Sequence, residues 1–158
     1  TIKLMTVRKA ENKDIPTIID LLKQVNAVHA EARPDLFKLA TKYSEEEVKG
    51  LISDENTPIF VADDGGKVLG YAMCKLIVHS GESIMQDMKS LYIADICVDE
   101  SARGKHVGTQ IYDHVLAFAR DIGCYNITLN VWTCNPAAGA FYKKLGLIPQ
   151  KTTMEKIL

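Results

Sequence analysis

The chain has 158 residues, 47% of them hydrophobic and 25% charged, with 19 Lys and Arg against 20 Asp and Glu for a formal net charge of −1. This composition excludes disordered, collagen-like and disulfide-scaffold classes, and the length lets one domain bury a full core. The charge balance supplies no overall field to draw in nucleic acid or an anionic membrane, so any anion site has to be local.

The segment Lys3 to Lys9 reads as a short strand. Asn12 or Asp14 can cap a helix in which Ile15, Ile18, Ile19, Leu22 and Val25 follow helical spacing and Pro16 fits the first turn. That helix should weaken between His29 and Arg33, because Pro34 restricts the residue before it, leaving a connector that carries Glu31, Arg33, Asp35, Leu36 and Phe37. A second helix starts at Ser44, which with Glu47 makes a capping box. The period then changes. Ile59 to Ala62, a turn at Asp63-Asp64-Gly65-Gly66, and Lys67 to Val78 form a β-hairpin, since glycine supplies the positive φ of a tight turn. A polar loop from His79 to Lys89 leads to Leu91–Val98, an almost unbroken apolar run expected of a central strand covered on both faces. Next, Val107, Ile111, Val115, Phe118 and Ile122 mark a helix ended by Gly123. A strand Tyr125–Trp132, a short helix Asn135–Lys144 stopped at Gly146, and a last strand Lys151–Ile157 complete a mixed α/β order.

Cys74, Cys97, Cys124 and Cys134 form no Cys-x-x-Cys pair and sit mostly in apolar stretches, as free thiols do in a reducing compartment. No signal-like start and no apolar run of about 20 residues appears, so a cytoplasmic protein without a membrane partner is expected. His29, His79, His106 and His114 are scattered without metal-ligand spacing, which argues against a metal site. Cys97 lacks the adjacent histidine that a thiol nucleophile needs, and no Gly-x-Ser-x-Gly elbow is present.

Chemistry should gather where the central strand hands over to its helix. Arg103-Gly104-Lys105-His106-Val107-Gly108-Thr109 is a cationic, glycine-containing turn at a helix N-terminus. Free N–H groups, the helix dipole and two cations can cradle an anion there, although a solvated basic turn has the same pattern. It is neither a Walker loop nor a dinucleotide fingerprint. Asp95 is the only charge within Leu91–Val98, and a buried carboxylate demands a partner, whether structural or catalytic.

The run from Ile96 to Gly108 resembles the acetyl-CoA motif of the GNAT superfamily of N-acetyltransferases, Arg/Gln-x-x-Gly-x-Gly/Ala. Arg103 and Gly108 match, while His106 stands where the family usually has its first glycine. Asn135 to Leu147 resembles the family's C-terminal Asn, Phe-Tyr and Leu-Gly-Phe signature, with Leu147 in place of the common Phe. The resemblance implies a mixed, mostly antiparallel central sheet flanked by helices and a single GNAT domain over residues 1–158. It also implies acetyl-CoA as cosubstrate and an amine acceptor, either a small molecule or a protein amine, with a homodimer compatible.

By the same resemblance, Ile96, Cys97 and Val98 would pair their backbone with the pantetheine arm. Arg103, Gly104, Lys105, His106, Val107, Gly108 and Thr109 would hold the pyrophosphate. Asn135 would bond the coenzyme arm or cap the last helix, and Tyr142 would protonate the departing thiolate. Asp95 and Glu31 are the candidates for the base, with Tyr92 and a water chain as a further route. The region from Arg8 to Glu55 should choose the acceptor, and the loop His79–Lys89 with the connector Ala30–Lys42 should shape its pocket. Two rivals stand beside this reading: a CoA-binding regulatory module of the same fold without turnover, and an unrelated nucleotide-binding α/β protein.

Overall fold

The structure is a computed structural model that describes residues 2–158. Its organising turn is Asp63-Asp64-Gly65-Gly66. Gly65 and Gly66 adopt φ of 59° and 99°, and the Gly66 N–H donates to Asp63 Oδ1 at 2.7 Å. The turn joins β2 (Ile59–Asp64) to β3 (Lys67–His79). Strand β1 (Thr6–Lys9) adds antiparallel to β2, and β4 (Met88–Val98) adds antiparallel to β3. Strand β5 (Asn126–Leu129) runs parallel to β4, giving the order β1-β2-β3-β4-β5. This is the mixed, mostly antiparallel sheet flanked by helices that the resemblance implies.

Period-2 alternation gives the sheet two apolar faces, and each is covered. Helix α3 (Val107–Asp121) lays Val107, Ile111, Val115 and Ala119 on Phe60, Ala72, Leu91 and Ile93. On the opposite face, α1 (Ile15–Ala32) and α2 (Glu45–Ser53) bring Ile18, Leu21, Leu22 and Val48 against Val61, Tyr71, Met73 and Cys97. Ser44 caps α2 as its spacing predicts: Glu47 N–H donates to Ser44 Oγ, and Ser44 N–H to Glu47 Oε1, both at 3.2 Å. Helix α4 (Pro136–Lys144) follows β5 and buries none of its residues.

Several expectations are corrected. Strand β1 begins at Thr6, not Lys3, and β5 stops at Leu129 rather than Trp132. Residues 151–157 form no strand; a strand exists only by pairing, and no main-chain bond is made there. Helix α1 continues to Ala32, so Glu31 lies on its last turn and not on a connector. Asp14 makes no side-chain cap for α1. It turns back instead to accept from Arg8 at 2.8 and 3.0 Å and from the Glu11 N–H at 2.8 Å.

Candidate active site

The site originates in an irregularity of β4. Met73 pairs with Asp95 but Cys74 pairs with Ile93, so Ala94 is an extra residue, a β-bulge. Before it, Leu91 and Ile93 face α3; beyond it, Ile96 and Val98 do so, while Ala94 and Cys97 turn to the α1 side. Asp95 shares the parity of Cys97 and lies on that side as well, where Lys42 reaches it. Pairing to β5 also ends at the bulge, with Ile93 opposite Leu129. From Ala94 to Val98, β4 pairs with β3 along one edge and with no strand along the other. Main-chain donors and acceptors on that edge are therefore available to an extended ligand.

Asp95 carries a nearly buried side chain, 14% exposed, and its Oδ2 lies 3.5 Å from Lys42 Nζ. The contact is an ion pair by distance yet completes no hydrogen bond, and Oδ2 is left buried without a partner. Burial raises the Asp95 carboxyl above its ordinary range, opposed by the Lys42 charge and more weakly by His29. The Tyr71 hydroxyl is the other buried side-chain oxygen without a hydrogen bond among the described residues. Burial first, then the Asp95 charge, raises that phenol. Two orphaned polar atoms on one side of the sheet fit a polar substrate group that supplies both an acceptor and donors.

Tyr142 projects from α4, and burial, reinforced by Asp95 and Cys97, pushes its phenol up to about 12. It stays protonated at physiological pH and can act as a proton donor. Asn135 caps α4, accepting from the Ala138 N–H at 3.3 Å. Past the end of the unpaired edge, Asp99 closes the turn after β4 by accepting from Ser101 N–H at 2.9 Å and Ser101 Oγ at 2.6 Å. Arg103, Gly104, Lys105 and His106 are exposed and lead into buried Val107 and Gly108 and half-buried Thr109. Gly104 has φ 79°, and His106 has φ 61° and ψ 24°, the left-handed conformation that glycine adopts without strain. His106 is the one described non-glycine residue in that region, so histidine here holds a backbone shape that glycine would adopt without strain. The first-turn N–H groups of α3 open toward the cationic turn.

Not every candidate joins this cluster. Glu31 is exposed on α1. Tyr92 bonds instead to Asn130, whose Nδ2 donates to the phenol oxygen at 3.2 Å. The Cys97 thiol donates to the Leu21 carbonyl at 3.3 Å, and burial raises it to about 12. Sequence reasoning missed Tyr71 and the Lys42 pairing. Tyr71 looked like any aromatic in an apolar strand, and Lys42 is brought to Asp95 across 53 residues of chain by the fold alone. A wall of Phe37 on Trp132, centroids 5.1 Å apart, borders the connector.

The family model described as the acetyltransferase (GNAT) family matches residues 25–147. Among curated proteins, glucosamine 6-phosphate N-acetyltransferase 1 of rice (Oryza sativa subsp. japonica) is 32% identical over 63 residues, 40% of this chain and 36% of that protein. N-alpha-acetyltransferase 30 of Schizosaccharomyces pombe is 30% identical over 92 residues, 58% of each chain. The matched stretches thus span under two thirds of these relatives. Among solved structures, a mutant of the BH1408 protein from Bacillus halodurans superposes with a TM-score of 0.94 at 30% identity, covering 98% of this chain and 99% of that one. Glucosamine-6-phosphate N-acetyltransferase from Arabidopsis thaliana shares the fold, with a TM-score of 0.71 at 21% identity over 98% and 99% of the two chains. With the family model spanning most of its length, this chain belongs to the GNAT acetyltransferase family.

Proposed function

We propose that this chain is an acetyl-CoA-dependent N-acetyltransferase in which a primary amine, of a small molecule or a protein, attacks the acetyl group directly in a ternary complex. The observation that carries this reading is the unpaired edge of β4 from Ala94 to Val98, with the cationic turn at one end and Tyr142 beside it. Acetyl-CoA brings an activated thioester, and the chain's residues bind, orient and move protons around it. The backbone of Ile96, Cys97 and Val98 binds the extended arm and polarises the acetyl carbonyl, because preorganised N–H donors hold developing negative charge. Arg103, Lys105 and the N–H groups of Gly104 and of His106 to Thr109 hold the pyrophosphate.

An attacking ammonium has first to lose a proton. Asp95 is placed to accept it, since its raised pKa brings a carboxylate closer to the acidity that general-base catalysis uses. Tyr71 offers its hydroxyl to the same group. As the carbon–nitrogen bond forms and the carbon–sulfur bond breaks, Tyr142 gives a proton to the sulfur, and the proton that the nitrogen sheds on becoming an amide restores the phenol. Glu31 has no place in this scheme from its exposed helical position, and Asn135 serves by capping the helix that carries Tyr142. No helix of the described residues is long and apolar enough to cross a membrane. With four free cysteines the reading places the protein in the cytoplasm.

A thermal-unfolding scan with acetyl-CoA, CoA, ATP and NAD in parallel tests the coenzyme. A ligand at about 100 times its dissociation constant adds about 2.7 kcal/mol, which raises the midpoint by about 5 to 10 °C in a domain of this size. A shift with both CoA species and not with ATP or NAD is expected. No shift with either CoA species overturns the reading.

A further inference from the structure

Of the lysines that pair with a carboxylate among the described residues, Lys3 and Lys13 do so at the surface, where the partner side chains Asp64 and Glu11 are 28% and 61% exposed. Lys42 alone reaches a nearly buried one, Asp95, with Nζ 3.5 Å from Oδ2. A buried carboxylate is stabilised by closed hydrogen bonds, yet this pair stops short of one and leaves Oδ2 without a partner. The Lys42 side chain is meanwhile half exposed, so the ammonium lies between the buried oxygen and solvent. The segment that carries it is held on both sides. Asn26 Nδ2 donates to the Lys38 carbonyl at 2.7 Å, Phe37 meets Trp132 edge-on, and Ser44, two residues past Lys42, is fixed by the cap of α2. The Lys42 backbone is thereby anchored, while its four-carbon stem lets the ammonium move over a small volume beside β4. That volume adjoins the start of the unpaired edge Ala94–Val98, next to the backbone on which the proposed function seats the acetyl carbonyl. An amine, a base in contact with it and an activated acyl group then share one place, and a tethered nucleophile held there reacts as if at a concentration no free amine reaches.

We propose that Lys42 is itself an acetyl acceptor: with acetyl-CoA bound and no other amine at the site, the chain acetylates its own Lys42 Nζ. The inference rests on the proposed reading of the coenzyme site. The Lys42 ammonium gives one proton to the Asp95 carboxylate, and the freed nitrogen lone pair attacks the acetyl carbon. The carbon–nitrogen bond forms, the carbon–sulfur bond breaks, and the sulfur takes a proton from Tyr142. The second proton shed by the nitrogen restores the phenol. The products are acetylated Lys42, the CoA thiol and a proton on Asp95 that passes to water. Acetylation removes the positive charge beside Asp95 and sets an uncharged amide where another amine would enter, so the reaction stops after one turnover per chain. An acceptor amine that binds at Asp95 displaces Lys42 and takes the acetyl group in its place.

Incubation of the wild-type chain with acetyl-CoA alone, followed by intact mass and peptide mapping, tests this. The expected result is a gain of one acetyl group per chain, mapped to Lys42, with one equivalent of CoA released and a half-time independent of protein concentration. Lys42→Arg, which keeps a cation beside Asp95, should gain no acetyl group and still be stabilised against heat by CoA. Asp95→Asn and Tyr142→Phe should each slow the modification about 100-fold, which separates it from unassisted acetylation of an exposed lysine. No acetyl group on Lys42, in a protein whose thermal midpoint acetyl-CoA raises, overturns the inference and leaves the coenzyme site standing. No rise with either CoA species overturns the reading beneath it as well. A rate proportional to protein concentration, or one indifferent to both Asp95→Asn and Tyr142→Phe, overturns it equally, by assigning the transfer to a second chain or to solution chemistry.

Discussion

Gly108 and Phe141 touch with no side chain between them. A Cβ on Gly108 would stand 3.0 Å from Phe141 Cζ and 3.6 Å from Val98 Cγ2. The first turn of α3 is thereby seated directly on α4 and on the end of β4, joining the two segments that resemble family motifs. Gly108→Val should push α4 outward and move Tyr142 with it. Overpacking of this kind costs about 1 to 3 kcal/mol. Urea unfolding should show that loss, and turnover should fall by more than coenzyme affinity.

Tyr142→Phe removes the phenol and keeps the ring. If Tyr142 protonates the leaving sulfur, turnover should drop by about 100-fold or more, with the dissociation constant for CoA within about twofold of wild type. Because burial holds the phenol at about 12, the wild-type rate should show no alkaline loss from this group below about pH 11. Equal turnover in the Phe variant removes the assigned role.

Asp95→Asn separates stability from catalysis. Burial raises the folded-state pKa above the unfolded value of 3.8. The stability this group contributes is then present below that value and is lost as pH rises through the folded pKa. At neutral pH the folded protein carries an incompletely paired carboxylate, and the amide variant does not. The variant should match or exceed wild type in thermal midpoint at pH 7 and lose the advantage at pH 3, while turnover falls by a factor of about 10² to 10⁴.

Asp14→Ala should behave in the opposite sense. Burial alone would raise this carboxyl, but the Arg8 bonds and the Glu11 N–H outweigh it and hold it below 3.8. Its contribution is present above that value and fades as pH falls through the folded pKa. Charge-assisted hydrogen bonds of this sort are worth about 1.5 to 3 kcal/mol. Denaturant unfolding should show a loss of about that size at pH 7, shrinking toward pH 2.

His106→Gly tests the left-handed turn. A non-glycine residue at φ 61° bears about 1 kcal/mol of strain that glycine lacks, partly offset by the greater freedom of glycine in the unfolded chain. The variant should be as stable as wild type or slightly more so and bind CoA at least as well. Replacement by valine, which resists this conformation, should weaken CoA binding about tenfold or more.

The local pattern of the sequence determined much of this molecule. The Asp-Asp-Gly-Gly turn set the hairpin, the Ser44 and Glu47 pair set the start of α2, and the four-and-three spacing from Val107 marked α3. Each depends on residues within a few positions of one another, whose hydrogen bonds and side-chain directions are nearly independent of the rest of the chain. Arg103, Gly108, Asn135 and Tyr142 could be proposed for a similar reason, since they lie in two short segments that resemble known ones.

Tertiary structure decided the rest. Nothing near Ala94 announces a bulge, because a bulge is a mismatch of count between two strands and belongs to neither alone. That one extra residue turns Asp95 from the α3 side, where Leu91 and Ile93 point, to the side where Lys42 can reach it. It also marks where β4 and β5 part and leave an edge open. The expectation of a strand over Lys151–Ile157 failed on the same ground. Alternation can make a segment fit to be a strand, but only an edge placed beside it can make it one.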